Sequence, residues 1–551
     1  MKRKLLFAAL IFWVNCATLN AQTIAYLDAN IVKAGIAIGG NLFSIEGTSA
    51  LTGGLFETPK GSGKAEIYTA TLWMSGWDQD GSLNCSEQTD PVQGYNEYFD
   101  GPIAPYYSNA YYKYYKRVFK GDKSKVDAFR GLNFPVSSSQ VDSTILYWPG
   151  LGNPSVLTDY GVSIDSPLAP FVDANHNGIY DPLQGDYPAF VGDQVVFFVF
   201  NDISGYQLYA GRTPLGVEVR GMASCFTDTS NSSIPYNKRA INNSVFIQYE
   251  IENKSLYRYS AFHLGFWVDP DIGCFNNDRV GCDTNRNLMF AYNGVAYDPD
   301  CAPERGYDSL PVALAIQALD GHMDVFGAGF PDQVTPAISD PVGAPCSLFS
   351  NFVQGIWGDG TSFQYGKTGY NSGGTPTKFI FPGDPVDTAQ WSDVTSGLPP
   401  GDRTMWSGSN ITTGFNPGQT LHFDFGVTTA YDSTSNYLAI IDTVKKDADT
   451  IRQFYLHHII PGQQTLGINP IPVNTPFTVS LYPNPSNNLI TIEAGENIQN
   501  IELMDIEGRI LLTKTVGATK VLLPVANLAR GVYLLNVIGK HNSAIKKVVV
   551  E

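Results

Sequence analysis

Apolar positions along this 551-residue chain recur mostly with period two. Val245, Ile247, Tyr249 and Ile251 alternate with Phe246, Gln248, Glu250 and Glu252, and Leu421, Phe423, Phe425 and Val427 alternate with His422 and Asp424. Successive side chains of a strand point to opposite faces, so each stretch predicts a strand with one apolar and one wetter face. Val195 to Phe200 is apolar throughout and predicts a strand buried on both faces. Ala65 to Met74 is a further strand. A helical period recurs late in the chain: Leu438, Ile441, Val444, Ala448, Ile451 and Tyr455 lie three or four apart, with Ser435 or Asn436 as the cap. Such a density of strands predicts an all-β body of β-sandwich or jelly-roll layers with few helices.

The pattern breaks near both ends. Lys2-Arg3-Lys4 followed by the apolar run Leu5 to Val14 has the form of a secretory signal, with cleavage expected after Ala21. That run is too short to span a bilayer, and no other segment reaches spanning length. Residues 460–476 hold four prolines and two glycines and read as a linker. The chain therefore divides into a signal peptide (1–21), a secreted body of one or two sub-domains (22–459), the linker (460–476) and a tail (477–551).

The tail carries four separated motifs. Tyr482-Pro483-Asn484-Pro485 opens it extended, since two prolines fix φ and exclude helix. Asp505-Ile506-Glu507-Gly508-Arg509 reads as a hairpin corner, Leu528-Ala529-Arg530-Gly531-Val532-Tyr533 as a turn entering a strand, and Lys546-Lys547-Val548-Val549-Val550 as the closing strand. In order and spacing these residues resemble the type A C-terminal sorting domain of the Bacteroidota type IX secretion system. The resemblance implies an Ig-like β-sandwich, handling by the type IX secretion machinery, and release or anchoring at the cell surface after Sec export and outer-membrane translocation. More loosely, Tyr147-Trp148-Pro149-Gly150, residues 171–202 and residues 266–293 resemble large secreted Bacteroidota proteins without assigned activity, which implies no catalytic residues.

Charge and cysteine narrow the functional classes. With 35 basic against 52 acidic side chains, the chain is a poor partner for nucleic acid or anionic membrane surfaces, both of which reward basic patches. Six cysteines follow the signal: Cys85, Cys225, Cys274, Cys282, Cys301 and Cys346. An even number in an exported chain predicts disulfides, with at least one local bridge expected among Cys274, Cys282 and Cys301. Cys-x-x-Cys pairs are missing, which disfavours a structural zinc site. So are His-Glu-x-x-His, Gly-x-Ser-x-Gly and phosphate-loop signatures.

The sharpest chemical signal is the loop from Asp173 to Asp186. Asp173, Asn175, Asn177 and Asp181 stand at positions 1, 3, 5 and 9, the Ile179 carbonyl at 7 and Gly178 at 6, as in the opening of an EF-hand calcium loop. Position 12 is Gln184, with Asp186 two residues on as a substitute ligand. The competing reading is a turn built by the backbone preferences of Asp, Asn and Gly. A second acidic group, Asp269, Asp271, Asp278 and Asp283, could hold another cation, pair with Arg279 and Arg286, or supply the two carboxylates of a glycosidase. The tyrosines between Tyr95 and Phe119 could stack on sugar rings or fill a core with a wet rim. Together these readings point to a calcium-stabilised module that binds glycan or protein outside the cell, with a carbohydrate-active hydrolase or lyase as the alternative.

Overall fold

In a computed structural model the chain separates into two compact units, Met1–Leu466 and Gly467–Glu551. The structure describes residues 22–44, 54–88, 96–203, 212–230, 234–331, 345–433, 436–459, 479–505, 510–526, 528–539 and 543–550. The expected signal (1–21), the expected linker (460–476), the candidate cap Ser435, and Gly508 and Arg509 lie outside the described residues.

The body is all-β in plan, a single sandwich of two large antiparallel sheets. The first has nine strands. Its central run is Asp278–Asp283, Leu288–Asn293, Val312–Asp320, Thr420–Tyr431, Ser244–Asn253, Val217–Cys225 and Gln194–Asn201, with Phe99–Asp100 and Phe119–Asp122 both pairing along the last. The second runs Val325–Gly329, Thr404–Ile411, Ala261–Pro270, Ile67–Trp77 and Leu83–Glu87. Their inner faces meet in one apolar core, where Phe266 of the smaller sheet stacks on Phe425 of the larger with ring centroids 4.3 Å apart. The outer face of the smaller sheet presents Trp73, Trp267 and Trp406, covered by Phe349 and Phe352 of the helix Cys346–Phe352. Two disulfides brace the body, Cys85–Cys346 and Cys274–Cys301, while Cys225 and Cys282 are buried thiols.

The strand Gln194–Asn201 shows why Val195 to Phe200 is apolar at every position. Val196, Phe198 and Phe200 enter the sandwich core, and Val195, Phe197 and Val199 face a second core on the outer side. That second core belongs to a lobe of short helices, Asn109–Tyr115, Lys123–Arg130, Ser143–Leu146 and Pro154–Tyr160. Tyr111, Tyr114, Tyr115 and Trp148 fill it, so the tyrosine-rich run is mostly core, with Tyr106 left 79% exposed. The late helix spans Ile440–His458 and seals the opposite end of the same outer face through Ile441, Val444, Ala448, Ile451 and Tyr455. It starts later than the sequence expectation: Ala439 precedes it, and Asn436 instead accepts from Leu438 N in the turn before it.

The tail is a separate five-stranded unit around Ile490, Ile492, Ile501, Leu503, Leu535, Val537 and Val548. Its long strands Leu489–Met504 and Ile510–Pro524 pair with each other along their length. Asn484 lies between the two prolines and bridges the closing strand, donating to Lys547 O and accepting from Val549 N at 2.7 and 2.8 Å. The Asn484 side chain, held in a bend between the two prolines, thus makes both bonds to the backbone of the closing strand, which ties the opening motif to the end of the chain. Tyr482 bonds Glu493 and Lys520, and the Tyr533 hydroxyl donates to Ala529 O at 2.7 Å. Gly531 begins the strand Gly531–Gly539, and Lys546 and Lys547 sit on Ser543–Val550.

Candidate functional site

Three neighbouring strands of the nine-stranded sheet turn their polar sides outward at one place. Register sets Arg220 opposite Glu250 and Glu250 opposite His422; one step along, Met222 faces Gln248 and Gln248 faces Asp424. These two rows form the floor of a cleft of about 450 Å³, walled by Pro167 to Phe171 of the helical lobe. Beside it the late helix contributes Tyr455, whose hydroxyl donates to Asp424 Oδ2 at 2.8 Å, and Gln248 Nε2 donates to the same oxygen at 3.0 Å. Phe171, Phe197 and Met222 add apolar surface.

The charges of the cleft are arranged unequally. Arg220 is held by three glutamates, Glu218 at 3.3 Å, Glu250 at 3.0 Å and Glu252 at 2.9 Å, which fixes the guanidinium and raises its pKa. Asp424 is only 2% exposed. Burial, reinforced by the charges of Asp320 and Glu250, pushes its carboxyl up to about 7 despite two donors. One acid of the cleft therefore keeps its proton near neutrality beside an ion-paired one. Glu250 and Asp424 are diagonal neighbours on adjacent strands, which places their Cβ atoms roughly 7–8 Å apart.

The loop from Asp173 to Asp186 lies in the helical lobe and is laced by its own backbone. Asp173 accepts from Asn177 N and Gly178 N, Asn175 from Asn177 N, and Asn177 from Ile179 N. Asp181 caps the following turn by accepting from Leu183 N. Asp186 is buried and joins the two ends of the loop, accepting from Ala174 N at 2.8 Å and from Asp181 N at 2.7 Å. His176 and Gly178 take positive φ, as a reversal this tight requires.

The second acidic group is not one cluster. Asp269 and Asp271 lie together at the end of Ala261–Pro270, where Asp402 joins them, with one oxygen of each within 4.8 Å of the others. Asp278 is buried close by and accepts from Ile272 N at 3.0 Å. Asp283 stands at the far end of its strand, 2.7 Å from Arg286. The ion pair, one of the readings open from the sequence, describes Asp283, while Arg279 is taken by Asp393 at 2.9 Å.

Two groups were missed by local reading. Gln248, Glu250, His422 and Asp424 were visible as the wetter sides of two strands, but some 170 residues separate the strands and only the sheet order makes their wet sides one surface. Asp402 sits alone in Pro400-Gly401-Asp402-Arg403 and carried no local signal.

Residues 480–551 match the family described as the secretion system C-terminal sorting domain. The tail is a type IX sorting domain, and it directs export to the cell surface or the medium. Among the described residues no helix is long and apolar enough to cross a membrane. No curated protein matches the chain. Among the solved structures that match, a polysaccharide lyase aligns at 7% identity over 70% of this chain and 39% of its own, with a TM-score of 0.18. The chain thus spans well under half of that protein's length, and a likeness of this size carries no argument about fold or function.

Proposed function

We propose that the body delivered by this sorting tail is a binding module whose site is the cleft on the outer face of the nine-stranded sheet, and that its ligand is a glycan. The observation that carries the reading is the lining: two rows of fixed donors and acceptors beside the apolar surfaces of Phe171, Phe197 and Met222. Sugars present hydroxyls on one side and C–H faces on another, and a cleft of this volume falls within the range of about 300–1,000 Å³ usual for small-ligand sites. The full chain is expected to bind at least one glycan in an array and in calorimetry. Gln248→Ala or His422→Ala should weaken that binding about tenfold or more, the effect of losing a buried hydrogen bond of about 1.4 kcal/mol. Glycan binding indifferent to both substitutions, or no binding across the array, would sink the reading.

The neutral Asp424 supports hydrolysis as a second reading. A protonated acid near a second, ion-paired carboxyl, here Glu250, is the arrangement that glycoside cleavage uses. Asp424→Asn separates the two readings in the same experiment, since a hydrolase loses turnover and keeps binding, while a plain binder has no turnover to lose.

The loop from Asp173 to Asp186 is proposed to take one calcium ion through Asp173, Asn175, Asn177, Asp181 and the Ile179 carbonyl, with Asp186 as a further ligand. Its few charges and the missing position-12 glutamate place the affinity on the order of 10⁻⁴ to 10⁻³ M. At ten times Kd the folded state gains about 1.4 kcal/mol. Asp173→Ala should abolish this gain and its millimolar binding isotherm; an unchanged isotherm in that variant leaves the loop a turn.

A further inference from the structure

The smaller sheet ends in a place where one strand delivers two carboxylates and its neighbour a third. Ala261–Pro270 pairs with Thr404–Ile411, Val268 facing Met405. Three residues beyond Val268 the first chain reaches Asp271, and three before Met405 the second reaches Asp402, so the ladder brings these two side by side. Asp269, two residues from Asp271, shares its side of the strand. One oxygen from each of the three carboxylates lies within 4.8 Å of the other two.

That distance has a chemical meaning. Oxygens bind calcium at about 2.3–2.6 Å, so two on opposite sides of one ion stand about 4.8 Å apart. Three oxygens inside that limit can share an ion without movement of the backbone.

A second observation points the same way. Asp271 is 8% exposed. Its backbone N–H donates to Glu66 O, but among the described residues no donor reaches its carboxylate, which faces the acids Asp402 and Glu304. Next to it Asp278 is fully buried; Oδ2 accepts from Ile272 N, and Oδ1 is buried without a partner, as is Glu304 Oε2. Arg279 and Arg403 do not answer this demand, because both bind Asp393, at 2.9 and 3.1 Å. Buried acceptors without donors are costly.

We infer that Asp269, Asp271 and Asp402 form a divalent-cation site of the calcium type, with Asp278 and Glu304 beside it. An all-oxygen carboxylate set selects a hard cation. Thiolate chemistry is excluded at the nearest cysteines, since Cys274 and Cys301 are bonded to each other. The ion would lock the end of two strands to the segment carrying that disulfide, a structural role distinct from the loop of the helical lobe.

The test uses calcium alone on the purified full chain. Melting in chelator and in excess calcium, with calorimetry alongside, is run for the native chain, Asp271→Asn, Asp402→Asn and Asp173→Ala. The expected result is a calcium-dependent rise in melting temperature that survives Asp173→Ala and falls in Asp271→Asn and Asp402→Asn to the share of the loop in the helical lobe, with at least a tenfold loss of affinity at this site in both. In chelator the two Asn variants should melt no lower than the native chain, because each removes a carboxylate from the group. That comparison also separates a lost ion from a damaged fold. If the calcium effect is undiminished in both Asn variants, or no calcium effect remains once Asp173 is replaced, the acids hold protons in place of an ion and the proposal falls.

Discussion

The body is expected to melt higher at pH 5 than at pH 8, by a few degrees. Glu66 is fully buried between the sheets, accepting from Thr429 Oγ1 at 2.6 Å and from the Tyr307 hydroxyl at 3.2 Å. Burial outweighs both donors and pushes its carboxyl up to about 8, and Asp424 stands at about 7 for the same reason. A carboxyl that holds its proton more tightly when folded stabilises the fold fully below its unfolded pKa. The contribution is lost as pH rises through the folded value, here between about 4 and 8. For Glu66 the difference is on the order of 3–5 kcal/mol, and for a body of this length each kcal/mol moves the melting temperature by only about 1–2 °C. Glu66→Gln keeps the shape and removes the titration, so its melting temperature should exceed the native one at pH 8 and vary less with pH. The comparison belongs in buffer free of divalent ions. A native chain that melts no higher at pH 5, or a Gln variant with the native pH slope, would contradict this account.

The second large effect concerns the bridge Cys85–Cys346. It spans 261 residues and joins the strand Leu83–Glu87 to the start of the helix that covers the tryptophans of the smaller sheet. In the chain-entropy view a loop that long costs the unfolded state about 5.5 kcal/mol, against about 3.5 kcal/mol for Cys274–Cys301, which spans 27. Replacing both cysteines of a bridge with alanine should therefore lower the denaturation midpoint more for the long bridge than for the short one. The reverse order would show that local geometry, not loop length, sets the contribution. Mass mapping of the unreduced protein should find Cys225 and Cys282 as thiols.

Elements dominated by local pattern could be read from the residues. The doubly buried strand at Val195, the alternating strands at Val245 and Leu421, and the late helix each lie where their periods put them. The helical lobe was not legible: its helices run four to eight residues, too short for a 3.6-residue period to emerge from a tyrosine-rich stretch. Within one reach of sequence, Cys274, Cys282 and Cys301 offered a local bridge, and Cys274–Cys301 is the one formed. Cys85–Cys346 depends on tertiary folding and left no local trace. The cleft and the Asp402 cluster fail for the same physical reason, since each is assembled by strand pairing between segments more than 100 residues apart.

The position of Thr420–Tyr431 has a consequence for how the body is made. This strand is the last of the body in sequence, yet it stands inside the nine-stranded sheet, between Ser244–Asn253 and Val312–Asp320. Until it emerges, the strands on its two sides have no hydrogen-bonded connection to each other, and two half-sheets present open edges. Closure of the sheet is thus a late and highly non-local event, the kind that makes folding slow and leaves sticky intermediates exposed. A nascent or partly translocated body is consequently held unfinished by its own topology, and it becomes a single cooperative structure only when nearly its whole length is available.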